Sequence, residues 1–89
     1  MIKKKLTIIN KLGLHARAAA KLVHLASKYT CKIQIHKGSK KINAKSIMGV
    51  MMLAATKGTK LEFVTDGKNE KEAAEKIAKL IKNKFDEEE

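Results

Sequence analysis

Between Cys31 and His36 the chain alternates without a lapse, with Cys31, Ile33 and Ile35 set against Lys32, Gln34 and His36. A period of two places the three apolar side chains on one face, the signature of a half-buried strand. Such a strand needs a neighbour to pair with and an apolar layer over its inner face. Lys37-Gly38-Ser39-Lys40 is turn chemistry, and the short run around Lys41 to Ala44 returns as the second arm of a hairpin. Ile2, Leu6 and Ile8 alternate with Lys3, Lys5 and Thr7 in an earlier strand, with one polar lapse at Lys4. Leu61 and Phe63 alternate with Glu62 and Val64 in a fourth strand that ends at Asp66-Gly67.

The covering layer is read from the segments between strands. From Ala16 to Lys28, Ala19, Leu22, Val23 and Ala26 recur at helical spacing, while Arg17, Lys21, His24 and Lys28 line the opposite face as a basic stripe. Ser46 precedes Ile47-Met48-Gly49-Val50-Met51-Met52-Leu53, a short helix capped by the serine hydroxyl and broken at Lys57-Gly58. Asn69, with Glu72 three residues later, reads as a capping-box start to a last helix whose buried stripe is Ala73, Ile77, Leu80 and Ile81. Its acids come early and its lysines late, which suits the helix dipole. The order is β-α-β-β-α-β-α, a two-layer α+β domain over residues 1–85. Residues 86–89, Asp-Glu-Glu-Glu, are expected to form a solvated, disordered tail.

With 89 residues there is surface for one core only, and with 3% aromatics that core must be aliphatic. A lone cysteine, Cys31, permits no intramolecular disulfide, and with no signal-peptide pattern it fits a reducing, cytoplasmic setting. The longest apolar run, Ile47 to Ala55, is far short of the ~20 residues that span a bilayer, so no membrane insertion is expected. All nine acidic residues lie at or beyond Glu62, whereas residues 1–61 carry fourteen Lys or Arg and no carboxylate. A body this positive attracts an anionic partner through a field that salt weakens. Nineteen of the twenty basic residues are lysines, and the one arginine is Arg17. An arginine at that single position suggests a need for a forked donor.

Arg17 lies two residues after His15, and His15 immediately precedes the first helix. The first backbone N–H groups of a helix lack internal partners and point outward with a partial positive charge. A phosphate held on His15 would meet the N–H groups of Ala16, Arg17 and Ala18 together with the Arg17 guanidinium. Gly13 lets the chain turn sharply before it. An isolated histidine at a helix start is more readily an ordinary polar residue; the Gly-x-His-x-Arg spacing, the helix onset and the unique arginine together put the functional reading level with that one. His24 and His36 read as residues of polar faces, and Cys31 as a core side chain. A helix packed on one side cannot bury all of Ile47, Met48, Met51 and Met52, so a small exposed apolar patch is expected there, and methionine suits a surface that meets several partners.

Asn10-Lys11-Leu12-Gly13-Leu14-His15-Ala16-Arg17, followed by Ala19-Ala20-Lys21, closely resembles the active-site segment of the HPr family, the histidine-containing phosphocarriers of the bacterial phosphoenolpyruvate-dependent sugar phosphotransferase system. A second stretch, Asn43 to Met51, resembles that family's regulatory-serine segment, at the family's separation from the first. The resemblance runs from Met1 to about Leu80. It implies an HPr-like open-faced β-sandwich, a four-stranded antiparallel sheet with three helices on one face. It also implies a phosphohistidine at His15, formed on Nδ1 with phosphoryl from enzyme I and passed to sugar-specific IIA domains, with Arg17 stabilising the phosphate. Ser46 would be phosphorylated by an HPr kinase/phosphorylase, and Ala20, Lys21, His24, Ile47, Met48 and Met51 would form the docking face. The chain would be a monomeric relay without cofactor or metal, and not an enzyme with turnover of its own. Ala18 departs from the family's usual proline, which a first helical turn tolerates.

Two other readings are weighed against this. A mainly regulatory HPr-like protein of an incomplete phosphotransferase system would use the same two sites. A basic nucleic-acid-binding module would share the strand and helix order of RNA-recognition folds, but those folds stack bases on sheet aromatics. The chain holds only Tyr29, Phe63 and Phe85, so no specific nucleic-acid partner is expected.

Overall fold

A computed structural model describes residues 1–87. Its elements are β1 (Ile2–Thr7), α1 (Ala16–Ala26), β2 (Lys32–Lys37), β3 (Lys40–Asn43), α2 (Ile47–Met52), β4 (Lys60–Asp66) and α3 (Glu70–Lys82), followed by one short turn at Lys84–Asp86. The expected order is therefore present, as is the four-stranded antiparallel sheet, in the order β1-β4-β2-β3.

The pairing register follows from the alternation. Ile35 stands opposite both Phe63 of β4 and Ile42 of β3, and Leu6 stands opposite Leu61. One face of the sheet thus collects Ile33, Ile35, Leu61 and Phe63, all essentially inaccessible to water. Ala18, Ala19, Leu22 and Ala26 of α1 join Ala73, Ile77 and Ile81 of α3 in the core with them, and α2 adds Val50. The alanines let helix backbones approach closely, which offsets the scarcity of large aromatic side chains. The lapse at Lys4 falls on this inner side, opposite Phe63, in edge strand β1 and half-buried. A charge there discourages further strand pairing at the edge.

Two features differ from the sequence expectation. Asn69 has left-handed backbone (φ 60°, ψ 28°) and its side chain makes no capping bond, so no capping box forms. An N-cap side chain reaches the helix N–H groups from extended backbone, which Asn69 lacks. Glu70 instead folds back to accept from the Gly67 N–H at 3.0 Å, and Glu72 accepts from the Tyr29 hydroxyl at 2.9 Å.

The second difference is at the C-terminus. Lys84, Phe85 and Asp86 all have positive φ (54°, 56° and 60°), a conformation that costs about 1–2 kcal/mol for each non-glycine residue. Phe85 is fully buried, and the Lys21 ammonium donates to its carbonyl at 2.6 Å. Burying the ring offsets much of the turn's strain, about 1.5–3 kcal/mol for a side chain of that size. The expected tail therefore differs at its first two positions: Asp86 is exposed but belongs to the turn, and the Glu87 side chain is only 9% exposed. Glu88 and Glu89 lie outside the described residues.

The link from β1 to α1 packs against the link from α2 to β4. Ile8 exchanges backbone bonds with Gly58 and Thr59, and the Leu14 N–H donates to Ala55 at 2.8 Å. Gly13 has φ +65°, and a Cβ there would lie 2.5 Å from the Ala55 carbonyl oxygen and 2.9 Å from Thr56 Cα. Gly38 has a similar φ of +59° but open space around it. Gly13→Ala is therefore expected to lower unfolding stability by about 2–4 kcal/mol, and Gly38→Ala by about 1 kcal/mol. Urea denaturation followed by circular dichroism measures both, and equal losses would contradict the role given to the Ala55 contact.

Candidate functional site

The site is built on the loop that Gly13 closes. Asn10 is fully buried, and its Nδ2 donates to the Gly13 carbonyl at 2.8 Å while the Gly13 N–H donates back to the Asn10 carbonyl at 3.1 Å. Leu14 is buried and held by Ala55. The next residue, His15, is thereby delivered to the N-cap of α1 in extended conformation (φ −71°, ψ 176°). Its carbonyl accepts the Ala19 N–H at 2.8 Å, the first bond of the helix. The N–H groups of Ala16, Arg17 and Ala18 thus have no intrahelical acceptor, and the first turn holds no acidic residue.

The His15 ring does not cap its own helix. Its Nε2 lies 2.8 Å from Glu87 Oε2, and the side chain is 28% exposed. Glu87 Oε1 accepts from Asn10 Nδ2 at 2.7 Å, so one carboxylate links the buried amide to the imidazole. Ala16 and Arg17 are exposed, whereas the Ala18 methyl is buried in the core. The departure from the family's usual proline is thus a packed alanine whose N–H remains at the helix start.

Ser46 is the N-cap of α2, as expected, accepting from the Gly49 N–H at 3.1 Å. Helix α2 packs on α1 and buries only Val50. Ile47, Met48, Met51 and Met52 are all exposed, so the apolar patch is larger than one-sided packing would demand. Leu12, 64% exposed, is a further apolar side chain on the loop before His15. Ala20 and His24 are exposed on α1. Lys21 is not free for docking alone, since it also holds the Phe85 carbonyl.

The other singled-out residues lie elsewhere. His36, on strand β2, contacts Glu62 (3.5 Å) and Gln34 (3.2 Å), and Cys31 is a buried free thiol. Among the described residues no group of three or more His, Cys, Asp or Glu could hold a metal ion. Among the described residues no helix is long and apolar enough to cross a membrane.

Sequence reasoning missed Asn10 and Glu87. A signal was present: Phe85 continues the four-residue spacing of Ile77 and Ile81, so the apolar stripe of α3 runs one step past its helix.

Comparison with known proteins agrees with this geometry. The family described as "PTS HPr component phosphorylation site" matches residues 2–83. The chain is similar to phosphocarrier protein HPr of Pseudomonas aeruginosa, 52% identical over 84 residues and covering 93% of each chain. It is also similar to that of Cupriavidus necator, 48% identical over 87 residues and covering 98% of each. Among solved structures, a crystal structure of HPr from Thermoanaerobacter tengcongensis superposes with a TM-score of 0.96 at 44% identity, covering all of both chains. The Bacillus subtilis catabolite-repression protein Crh, solved as a swapped dimer, gives 0.75 at 40% identity over 94% of this chain and 97% of that one. The chain belongs to the HPr family, the phosphocarriers of the phosphotransferase system.

Proposed function

We propose that His15 is the residue that carries the phosphoryl group, accepting it on Nδ1 from phosphorylated enzyme I and passing it to IIA domains in the cytoplasm. The observation that carries this reading is the placement of His15 at the start of α1, beside three backbone N–H groups without intrahelical acceptors. Those donors and the Arg17 guanidinium stabilise the phosphate. Among the described residues the His15 side chain is 28% exposed, which suits a group that must be released.

The exposed Ile47, Met48 and Met51 of α2, with Ala20, Lys21 and His24 of α1, form the docking face. Lysines and Arg17 around an apolar centre suit partners with an acidic rim. Ser46 is the regulatory site, acted on by an HPr kinase/phosphorylase. Phosphate there would sit next to Ile47 and Met48 and place negative charge on the docking face.

The chain acts as a monomer. Its solved relatives include an HPr dimer from T. tengcongensis as well as Crh, so the carrier's mass must be measured in solution. Light scattering is expected to give the mass of one chain, and a stable dimer would overturn this part of the reading.

Incubation with phosphoenolpyruvate, magnesium and enzyme I should add one acid-labile phosphate to the intact mass, and none to His15→Ala. No transfer to the unaltered chain with a validated enzyme I would sink the reading. Loss of the guanidinium in Arg17→Ala should slow transfer about tenfold or more, the scale of one charge-assisted hydrogen bond; an unimpaired rate would refute its role. Ser46→Asp should accept phosphoryl about tenfold more slowly at low salt, with the deficit shrinking as salt rises. Stopped or quenched flow measures it, and rates equal to wild type at both salts would contradict the regulatory role.

A further inference from the structure

The contact between His15 and Glu87 joins the first helix start to the last residue described, and the relay reading above does not use it. We infer that Glu87, oriented by Asn10, is a positioning residue that holds His15 in the Nε2–H tautomer and so presents the Nδ1 lone pair as the nucleophile. This rests on the reading of His15 as the phosphoryl acceptor.

The tautomer follows from the donors and acceptors present. A carboxylate only accepts, so the imidazole nitrogen 2.8 Å from Glu87 Oε2 must carry the hydrogen. In a neutral ring the other nitrogen, Nδ1, is then unprotonated. The second carboxylate oxygen is occupied by Asn10 Nδ2 at 2.7 Å. Asn10 cannot present its oxygen there instead, because the same Nδ2 also donates to the Gly13 carbonyl at 2.8 Å inside a fully buried environment. The result is a chain of amide, carboxylate and imidazole in which each orientation is set by its neighbour.

The backbone shows that this arrangement is held in place. Three successive left-handed residues, Lys84 to Asp86, persist only where surrounding contacts over-determine them. Here the contacts are the buried Phe85 ring, the Lys21 ammonium on the Phe85 carbonyl, and the Glu87 N–H bonded to the Lys84 carbonyl at 3.0 Å. Together they aim the Glu87 side chain back at the start of α1.

The arrangement also balances the transfer. Attack by the Nδ1 lone pair forms the N–P bond while the donor's bond to phosphorus breaks and its electron pair leaves with enzyme I. The Nε2 proton stays in place, and the ring, now cationic, faces the Glu87 carboxylate. Onward transfer returns the N–P electron pair to Nδ1 and leaves a neutral imidazole. No proton moves in either direction, so the same geometry serves acceptance and donation.

The test uses two variants of the full chain. In Glu87→Gln, Asn10 Nδ2 claims the new amide oxygen, which turns the amide NH2 toward His15 and makes Nε2 the acceptor. Nδ1 then carries the hydrogen, the wrong tautomer for attack. Glu87→Ala removes the constraint without imposing the wrong one. Nitrogen-15 spectra of the His15 ring, recorded well above the histidine titration range, should show the Nε2–H form in the unaltered chain, a mixture in Glu87→Ala and mainly the Nδ1–H form in Glu87→Gln. Transfer from phosphorylated enzyme I should fall within about fivefold in Glu87→Ala and by about twentyfold or more in Glu87→Gln, as expected when a tautomer is misassigned. A merely structural role would make the alanine variant the worse of the two. An unchanged tautomer in Glu87→Gln, or a rate no lower than that of Glu87→Ala, would overturn the inference. Failure of the unaltered chain to accept phosphoryl would instead overturn the acceptor reading, and the ring spectra would still decide whether Glu87 sets the tautomer.

Discussion

The site hangs on one buried amide. Asn10 lies at the exit of β1 with no exposure to solvent, and its Nδ2 spends both hydrogens, one on the Gly13 carbonyl and one on Glu87. The first bond closes the loop that sets the starting point of α1. The second reaches across 77 residues of sequence to the far end of the chain. Its Oδ1, by contrast, is buried with no partner among the described residues, a loss worth about 1–3 kcal/mol. A fold seeking stability alone would favour an apolar side chain at such a position. The amide is retained where its two donors orient the residues on either side of the imidazole.

From that anchor the electrostatics follow. Helix α1 begins with no acidic residue in its first turn, whereas α3 begins with Glu70 and Glu72. Helix α3 thus carries negative charge in its own first turn, which suits its dipole, whereas the first turn of α1 has none. Helix α2 shows the same economy in apolar form. At six residues it is too short to persist alone, and its Ser46 cap, Val50 and the following Leu53 secure it while four large apolar side chains face outward. Exposed apolar surface of this kind is what the proposed docking face would use.

The fold was largely legible because local pattern and tertiary role coincide. The alternation in 31–36 and the helical period in 16–28 each specify a buried face without knowledge of the partner. The Ser46 cap was legible for the same reason, since donor and acceptor lie three residues apart. Asn69 was misread because its identity and spacing suit a cap, but only the backbone angle decides whether the side chain can reach. Glu87 was read as one of four solvated acids because composition averages over neighbours. Its place depends on Phe85 finding a slot between elements distant in sequence, and on a left-handed turn that residue identity does not favour. The pair His15–Glu87 is a long-range contact: the spacing of Ile77, Ile81 and Phe85 extends the apolar stripe toward it, but no pattern names the partner.

A carrier has to hold its cargo without keeping it. On the reading proposed above, backbone donors at the start of α1 and the Arg17 charge would lower the energy of a phosphate on His15. The Glu87 carboxylate acts on the same group with opposite sign on its two parts. It stabilises the ring once the ring becomes cationic, yet its own negative charge opposes a phosphate dianion close by. Placed on Nε2, the side of the ring away from the reacting nitrogen, it is nearer to the charge it favours than to the charge it opposes. Moving it toward Nδ1 would block attack, and removing it would free the ring's tautomer. The C-terminal turn, with its three strained residues, is the structural cost of keeping that carboxylate at the Nε2 edge of the imidazole, where the proposed tautomer leaves Nδ1 open to attack and to release without a proton moving.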